Sequence, residues 1–209
     1  MIKEYLWEKF MFKFIKALDL RFFNANYISI VALILSIIFI KLMNITEILE
    51  NSLLENVQLV ALFAAFVACF FVKKHKPLFY FIAMVLFLMF TRELNNGRAI
   101  FCQYPDNPHE FYTWSHYKYG WLAHIIIGVY MGLVGIYGIV KKIWKNIKEI
   151  FDNIKFPFWT FFGCLLCTIA QIIAEEKNNT CIEETSELVL YCLVLAFILI
   201  YKKQLNENN

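Results

Sequence analysis

The sequence predicts an all-α, polytopic membrane protein: six transmembrane helices and an N-terminal amphipathic helix in the interface, forming one membrane domain over 1–209. Three observations predict it. The chain is 60% hydrophobic, 18% aromatic and only 18% charged, too apolar for an ordinary soluble domain. Six segments each approach the length of a span. Lysines cluster after every second one.

Residues 1–23 alternate charge with aromatics (Tyr5, Trp7, Phe10, Phe12, Phe14) and lack the apolar core and small-residue cleavage site of a signal peptide. They read as a helix in the interface, with Lys9, Lys13 and Lys16 near lipid head groups. The spans follow at about 27–43, 55–72, 78–96, 121–140, 156–175 and 183–201. Several of their apolar runs are short, so the crossing is completed only if polar residues at one end enter the membrane.

Orientation follows from the short loops. Lys73, Lys74 and Lys76 follow the second span, Lys141, Lys142, Lys145, Lys148 and Lys155 the fourth, and Lys202 and Lys203 the sixth. With the basic N-terminus, these define the cytoplasmic side, so both termini are expected there. The opposite side receives Glu47, Glu50 and Glu55, then 95–119, then 175–187. A net charge of +3, with lysines beside apolar runs and no stripe of basic and stacking residues, gives nucleic-acid binding no support.

Counting from the lysine clusters at about 1.5 Å per residue places a layer of polar groups roughly 20 to 30 Å above the inner boundary. It holds Glu55 and Gln58, Arg92 and Glu93, His124, Gln171 and Glu175, and Glu187, with Glu183 one turn before Glu187. The pairs Glu55 with Gln58, Gln171 with Glu175, and Glu183 with Glu187 each share a helix face. A charge near the centre of a membrane helix costs about 2.5 to 3.5 kcal/mol, so these groups need partners. Arg92 is the natural counter-ion for Glu93, Glu55 or Glu187, because a guanidinium can hold two carboxylates. The expected site is therefore an Arg-centred carboxylate cluster opening to the outer face. Solvation of the same residues in the head-group zone is the blander alternative.

An internal match relates Glu55-Asn-Val-Gln58-Leu59-Val60, ending in Lys73-Lys74, to Glu184-Thr-Ser-Glu187-Leu188-Val189, ending in Lys202-Lys203. It suggests that spans one and two repeat as spans five and six about an axis along the membrane normal. Cys69, Cys164, Cys167 and Cys192 lie in apolar spans and read as packing residues, Cys164-Leu-Leu-Cys167 included. Cys102 and Cys181 lie in outer loops and are expected to form a disulfide. No haem pair of histidines is present. A metal on His116 or His124 with Glu175, Glu183 or Glu187 has the right donor types but no ligand-spaced motif, so no metal or other cofactor is expected. The loop 101–119, with Pro105, Pro108, Trp114 and four tyrosines, reads as an aromatic cap over the cluster or as an ordinary interface belt.

The stretch Arg92-Glu93-Leu94-Asn95-Asn96-Gly97-Arg98-Ala99-Ile100-Phe101, with Glu55-x-x-Gln58 before it and Glu183-Glu184-x-x-Glu187 after it, resembles a group of bacterial multispanning inner-membrane proteins. Those carry R-E-[IL]-S-W-G-Q-R-[IL]-F at the end of a helix and E-E-x-x-E opening the last helix. This chain departs at Asn96, where they have Trp, and at Arg98 and Ala99, where they have Gln and Arg. The resemblance brings no activity. It implies a bacterial inner-membrane location and a shared motif containing Arg92, Glu93, Gly97 and the late carboxylates. The Lys, Asn, Ile and Phe richness also suggests an AT-rich bacterial genome.

Three classes of function remain open. The cluster binds a lipid head group or a small polar solute or cation; or it is the site of a membrane-embedded lipid-modifying enzyme; or it docks a partner in a structural or accessory subunit. Membrane lipid is the first expected partner, and a homodimer is compatible with the size. The half of the helices beneath the layer is uniformly apolar, which favours a site open to one side over a continuous pore.

Overall fold

A computed structural model describes residues 18–45, 52–104, 110 and 112–207. After a two-residue strand, β1 (Leu18–Asp19), and a 3-10 turn (Asn24–Asn26) come α1 (Tyr27–Leu42), α2 (Leu53–Phe70) and α3 (Lys76–Glu93). A second 3-10 turn (Asn95–Gly97) leads to the short α4 (Arg98–Phe101). There follow α5 (Trp121–Val140), α6 (Ile143–Asn153), β2 (Phe156–Pro157), α7 (Phe158–Glu176) and α8 (Thr180–Glu207).

Five helical stretches, beginning at Asn24, Leu53, Trp121, Phe158 and Thr180, are long and apolar enough to cross a membrane. Lys76–Glu93 qualifies together with its continuation Asn95–Phe101, bent from it by 62°. The pattern of exposure is that of helices dissolved in lipid. In α1 the buried residues are Ser29 and Ser36 while Val31, Leu35 and Ile38 point outward; in α7 Thr160 and Ala174 are buried while Leu165, Ile169 and Ile172 are exposed. Small residues turned inward allow close backbone approach, and apolar ones turned outward meet hydrocarbon. The inward hydroxyls are satisfied locally: Ser29 Oγ donates to the Asn26 carbonyl at 2.7 Å and Ser36 Oγ to the Ala32 carbonyl at 2.8 Å.

α8 is the hub of the bundle, packed along α7 and α1 on one side and along α2 on the other. α2 pairs with α3 through an antiparallel ladder of rings, Phe63 with Phe90, Phe66 with Phe87, and Phe70 with Tyr80. Where α2 begins, Ser52 Oγ accepts from the Glu55 amide at 3.4 Å, half of a capping box. Pro77 sits in the first turn of α3, where a missing N–H is harmless. α5 hangs on the outer side of α3 by a Tyr130 hydroxyl bond to the Met84 carbonyl at 3.2 Å.

The ends segregate by charge. Lys202 lies over the Phe71 ring, 5.1 Å from its centroid, so α2 and α8 run parallel and finish together. His75, at the start of α3, meets Asn146 of α6 at 3.4 Å. The lysine clusters thus gather at one end of the bundle, and the glutamates at the other.

Several expectations need correction. Of the expected interfacial helix, 1–17 lie outside the described residues, and Leu18–Asp19 form a strand instead, paired in parallel with Phe156–Pro157. That pairing removes the first two residues expected of the fifth span. The amphipathic helix that the structure does contain is α6, whose Ile143 and Ile150 are buried against the core. The third span ends at Glu93 because Asn95, Asn96 and Gly97 all adopt the left-handed region, with φ of 50°, 55° and 87°. Asn and Gly are the residues that tolerate it. The internal repeat is not expressed as two like hairpins: α7 packs along its neighbour α8, whereas α1 also packs chiefly on α8 and not on α2.

Candidate functional site

The bent exit of α3 decides where Arg92 and Glu93 point. Because the helix stops one residue later, Arg92 lies at its carboxyl end, where a cation is favoured and Glu93 is not. The structure compensates Glu93 with two donors. Arg92 Nη2 and Nε reach Glu93 Oε1 at 2.8 and 3.1 Å, and the Tyr191 hydroxyl donates to the same oxygen at 2.7 Å. Arg92 Nη2 also donates to Glu187 Oε1 at 2.7 Å and to the Tyr191 hydroxyl oxygen at 2.9 Å. α3 and α8 are thereby tied by a network of four residues, in which Arg92, Glu93 and Tyr191 close a triangle and Glu187 joins through Arg92. Its exposure is graded: the side chains of Glu93 and Glu187 are 7% and 16% exposed, while Arg92 is 60% exposed.

One turn earlier on α8, Glu184 faces α2. Gln58, wholly buried, donates from Nε2 to the Glu184 carboxylate at 2.8 Å and to the Glu184 carbonyl at 2.9 Å. Its other amide atom, Oε1, has no hydrogen-bond partner among the described residues. A fully buried glutamine bonded to both the backbone and the side chain of one residue fixes the register of α2 against α8.

Arg92, Glu93, Glu184 and Glu187 belong to the wall of a cavity of about 430 Å³ at the glutamate-rich end of the bundle. Its lining comes from α2 (Glu55), α3 and the turn after it (Arg92, Glu93, Asn95), α7 (Gln171, Glu175) and α8 (Glu183, Glu184, Glu187). Beneath it, α2, α3 and α8 close on Leu62, Ala65, Cys69, Ala83, Leu86 and Leu188, all buried and apolar. The cavity has a floor.

Of the residues expected in the polar layer, seven line this cavity: Glu55, Arg92, Glu93, Gln171, Glu175, Glu183 and Glu187. Gln58 stands behind the wall. His124 is elsewhere, exposed on the first turn of α5, a helix that packs chiefly against α3. Glu184, Asn95 and Tyr191 were not among the expected site residues. Tyr191 follows Glu187 by four positions and Glu184 by seven, so the shared helix face was available as a signal. An aromatic in an apolar run masks it.

Two further expectations are corrected. No disulfide joins Cys102 and Cys181. They belong to different neighbourhoods. Cys102 is buried in the loop after α4, where its carbonyl accepts from the Tyr112 amide at 2.8 Å, whereas Cys181 Sγ contacts the Ile45 carbonyl at 3.8 Å beyond the end of α1. Among the described residues of the aromatic loop, Tyr104, Tyr112 and His116 stack on one another and none lines the acidic cavity. No group of three His, Cys, Asp or Glu residues close enough to hold a metal ion occurs among the described residues.

Set against protein-family profiles, curated proteins and solved structures, the chain gives no match in any of the three comparisons.

Proposed function

We propose that this chain is a bacterial inner-membrane protein of six crossings, with both termini in the cytoplasm, and that the acidic cavity binds an ammonium group at the outer leaflet. The group belongs to a lipid head group or to a small polar cationic solute. One observation carries the reading: among the described residues, six glutamates (Glu55, Glu93, Glu175, Glu183, Glu184 and Glu187) line a single cavity in which Arg92 is the one basic residue. Arg92 lies within hydrogen-bond distance of two of them, which leaves the cavity an excess of carboxylate. Cations are attracted to such a concavity over low-dielectric walls. The volume suits a head group, and the apolar floor argues for entry and exit on the same side.

The six-crossing topology rests on α3, which has the length of α2 and runs beside it from the lysine-rich end to the glutamate-rich end. Lysines held at one end support a cytoplasmic placement of that end. The resemblance through Arg92-Glu93, Gly97 and Glu183-Glu184-x-x-Glu187 supports the same placement.

Thermal unfolding of the purified full chain in detergent tests the binding. A saturable rise in Tm is expected with short-chain phosphatidylethanolamine and is expected to vanish in E184Q/E187Q. If free ethanolamine gives the same rise, the occupant is a solute; if only the lipid does, it is a head group. No rise with either probe refutes the reading.

A further inference from the structure

The opposite end of the molecule carries a second built cavity, of about 370 Å³, between the segment before α1 and the end of α8. Two features of opposite electrical sense to the acidic site converge on it, and a third orients one of them. Arg21 and Lys203 both line it, from segments far apart in the sequence. Asn24 and Ala25, the first residues of the 3-10 turn that runs directly into α1, line it too, and no side chain caps that start. The amino end of a helix carries partial positive charge and N–H groups that favour anions. Finally, Asp19 holds Arg21 in place through Nε at 3.0 Å and Nη2 at 2.7 Å, while the guanidinium stays 74% exposed. Asp19 is itself buried and anchored by the β1–β2 pairing. It acts as an orienting post for the arginine, not as a competitor inside the cavity.

The rest of the wall is Phe22, Phe23, Leu199 and Ile200, with the one further polar side chain of Gln204. Phe22 packs edge-on to Tyr27, and the Trp159 indole donates to the Leu20 carbonyl at 2.9 Å, giving the aromatic collar found at membrane interfaces. We infer that this cavity binds the phosphate of an anionic phospholipid, with Arg21, Lys203 and the start of α1 around the head group and the acyl chains against Phe22 and Leu199. A phosphate is the shared chemistry; the apolar flank commits the occupant to lipid over free phosphate. Basic pockets between membrane helices favour such head groups. The inference is independent of the acidic cavity and of its ligand.

Native mass spectrometry of the purified full chain, with phosphatidylglycerol, phosphatidylcholine or inorganic phosphate added, tests it. One phosphatidylglycerol is expected to bind in preference to phosphatidylcholine, and each basic residue is expected to contribute about a fivefold preference. R21Q/K203Q is expected to bring both lipids to equal occupancy, while K145Q/K148Q on α6, which removes equal charge at the same end, leaves the preference intact. K203Q alone, on the exposed surface of α8, gives a partial loss without disturbing β1. Equal binding of the two lipids by the unaltered protein overturns the inference. So does a preference that survives R21Q/K203Q, one that falls equally in K145Q/K148Q, or adduct formation with inorganic phosphate as strong as with the lipid.

Discussion

Glu93 is a carboxylate placed where its own helix repels it, and the residues around it show how the conflict is settled. Arg92 and Tyr191 donate to the same oxygen, and Arg92 in turn spans to Glu187. Removing the hydroxyl with Y191F leaves Arg92 to hold Glu93, so a loss of about 1 kcal/mol is expected. R92Q strips the cation from two largely buried carboxylates, and about 2 kcal/mol is expected, less than for a fully buried pair because the guanidinium faces solvent. Thermal unfolding of both variants checks the order; Y191F costing more than R92Q would deny the arginine its central place. Asp19 offers a pH test at the other end. Its bond to Arg21 holds its carboxyl below the usual carboxylate range, helped by the more distant Lys155 and opposed by burial. A depressed value in the folded protein contributes stability that is complete above the unfolded value of about 3.9 and is lost as the pH falls through the folded one. D19N is therefore expected to be less stable than the parent protein at pH 7, with the gap closing below about pH 4; a gap that stays constant down to pH 2 would contradict this.

Helices and turns carry a different kind of information, because here backbone geometry decides. Gly120, just before α5, lies so close to Trp114 that an added Cβ would collide with the Trp114 carbonyl, and backbone cannot yield as a side chain can. Gly132, in the middle of α5, has nothing within 4 Å of such an atom. G120A is expected to lower Tm and change the Trp114 environment, read as a shift in tryptophan emission, whereas G132A is expected to be near neutral or slightly stabilising. Equal effects would mean that the turn is not the constraint. The same distinction explains what could be read from sequence. The long apolar runs were visible, and 121–140 coincides with α5. The end of α3 was placed three residues late because hydropathy does not register an Asn-Asn-Gly run, although these are the residues that take positive φ. α6 was passed over as a lysine-rich loop, since its apolar positions Ile143, Ile147 and Ile150 are thinly spread among charges.

For the molecule as a whole, the polar layer could be anticipated from the distance of each group to the lysine clusters, but its membership could not. Depth along the membrane normal says nothing about rotation about a helix axis or about which helices are neighbours. His124 shares the depth and misses the cavity because α5 stands outside α3; Gln58 shares it and is sealed behind Glu184. The internal match has a related origin, since the matching termini of α2 and α8 report their common direction, while α1 and α7 do not form two like hairpins with them. Topology is testable directly. In a cysteine-free variant, N178C is expected to react with a membrane-impermeant maleimide in intact cells, and K203C only after permeabilisation. Labelling of both from outside would rule out the proposed crossings. The central position of α8 also has a temporal meaning. Ribosomes deliver α1, α2, α3 and α7 to the membrane before α8 exists, so the helices that flank it must wait without their common neighbour, and Arg92 and Glu93 without Glu187 and Tyr191. The acidic cavity is thus completed only by the arrival of α8, and a chain halted in synthesis after α7 would lack its site.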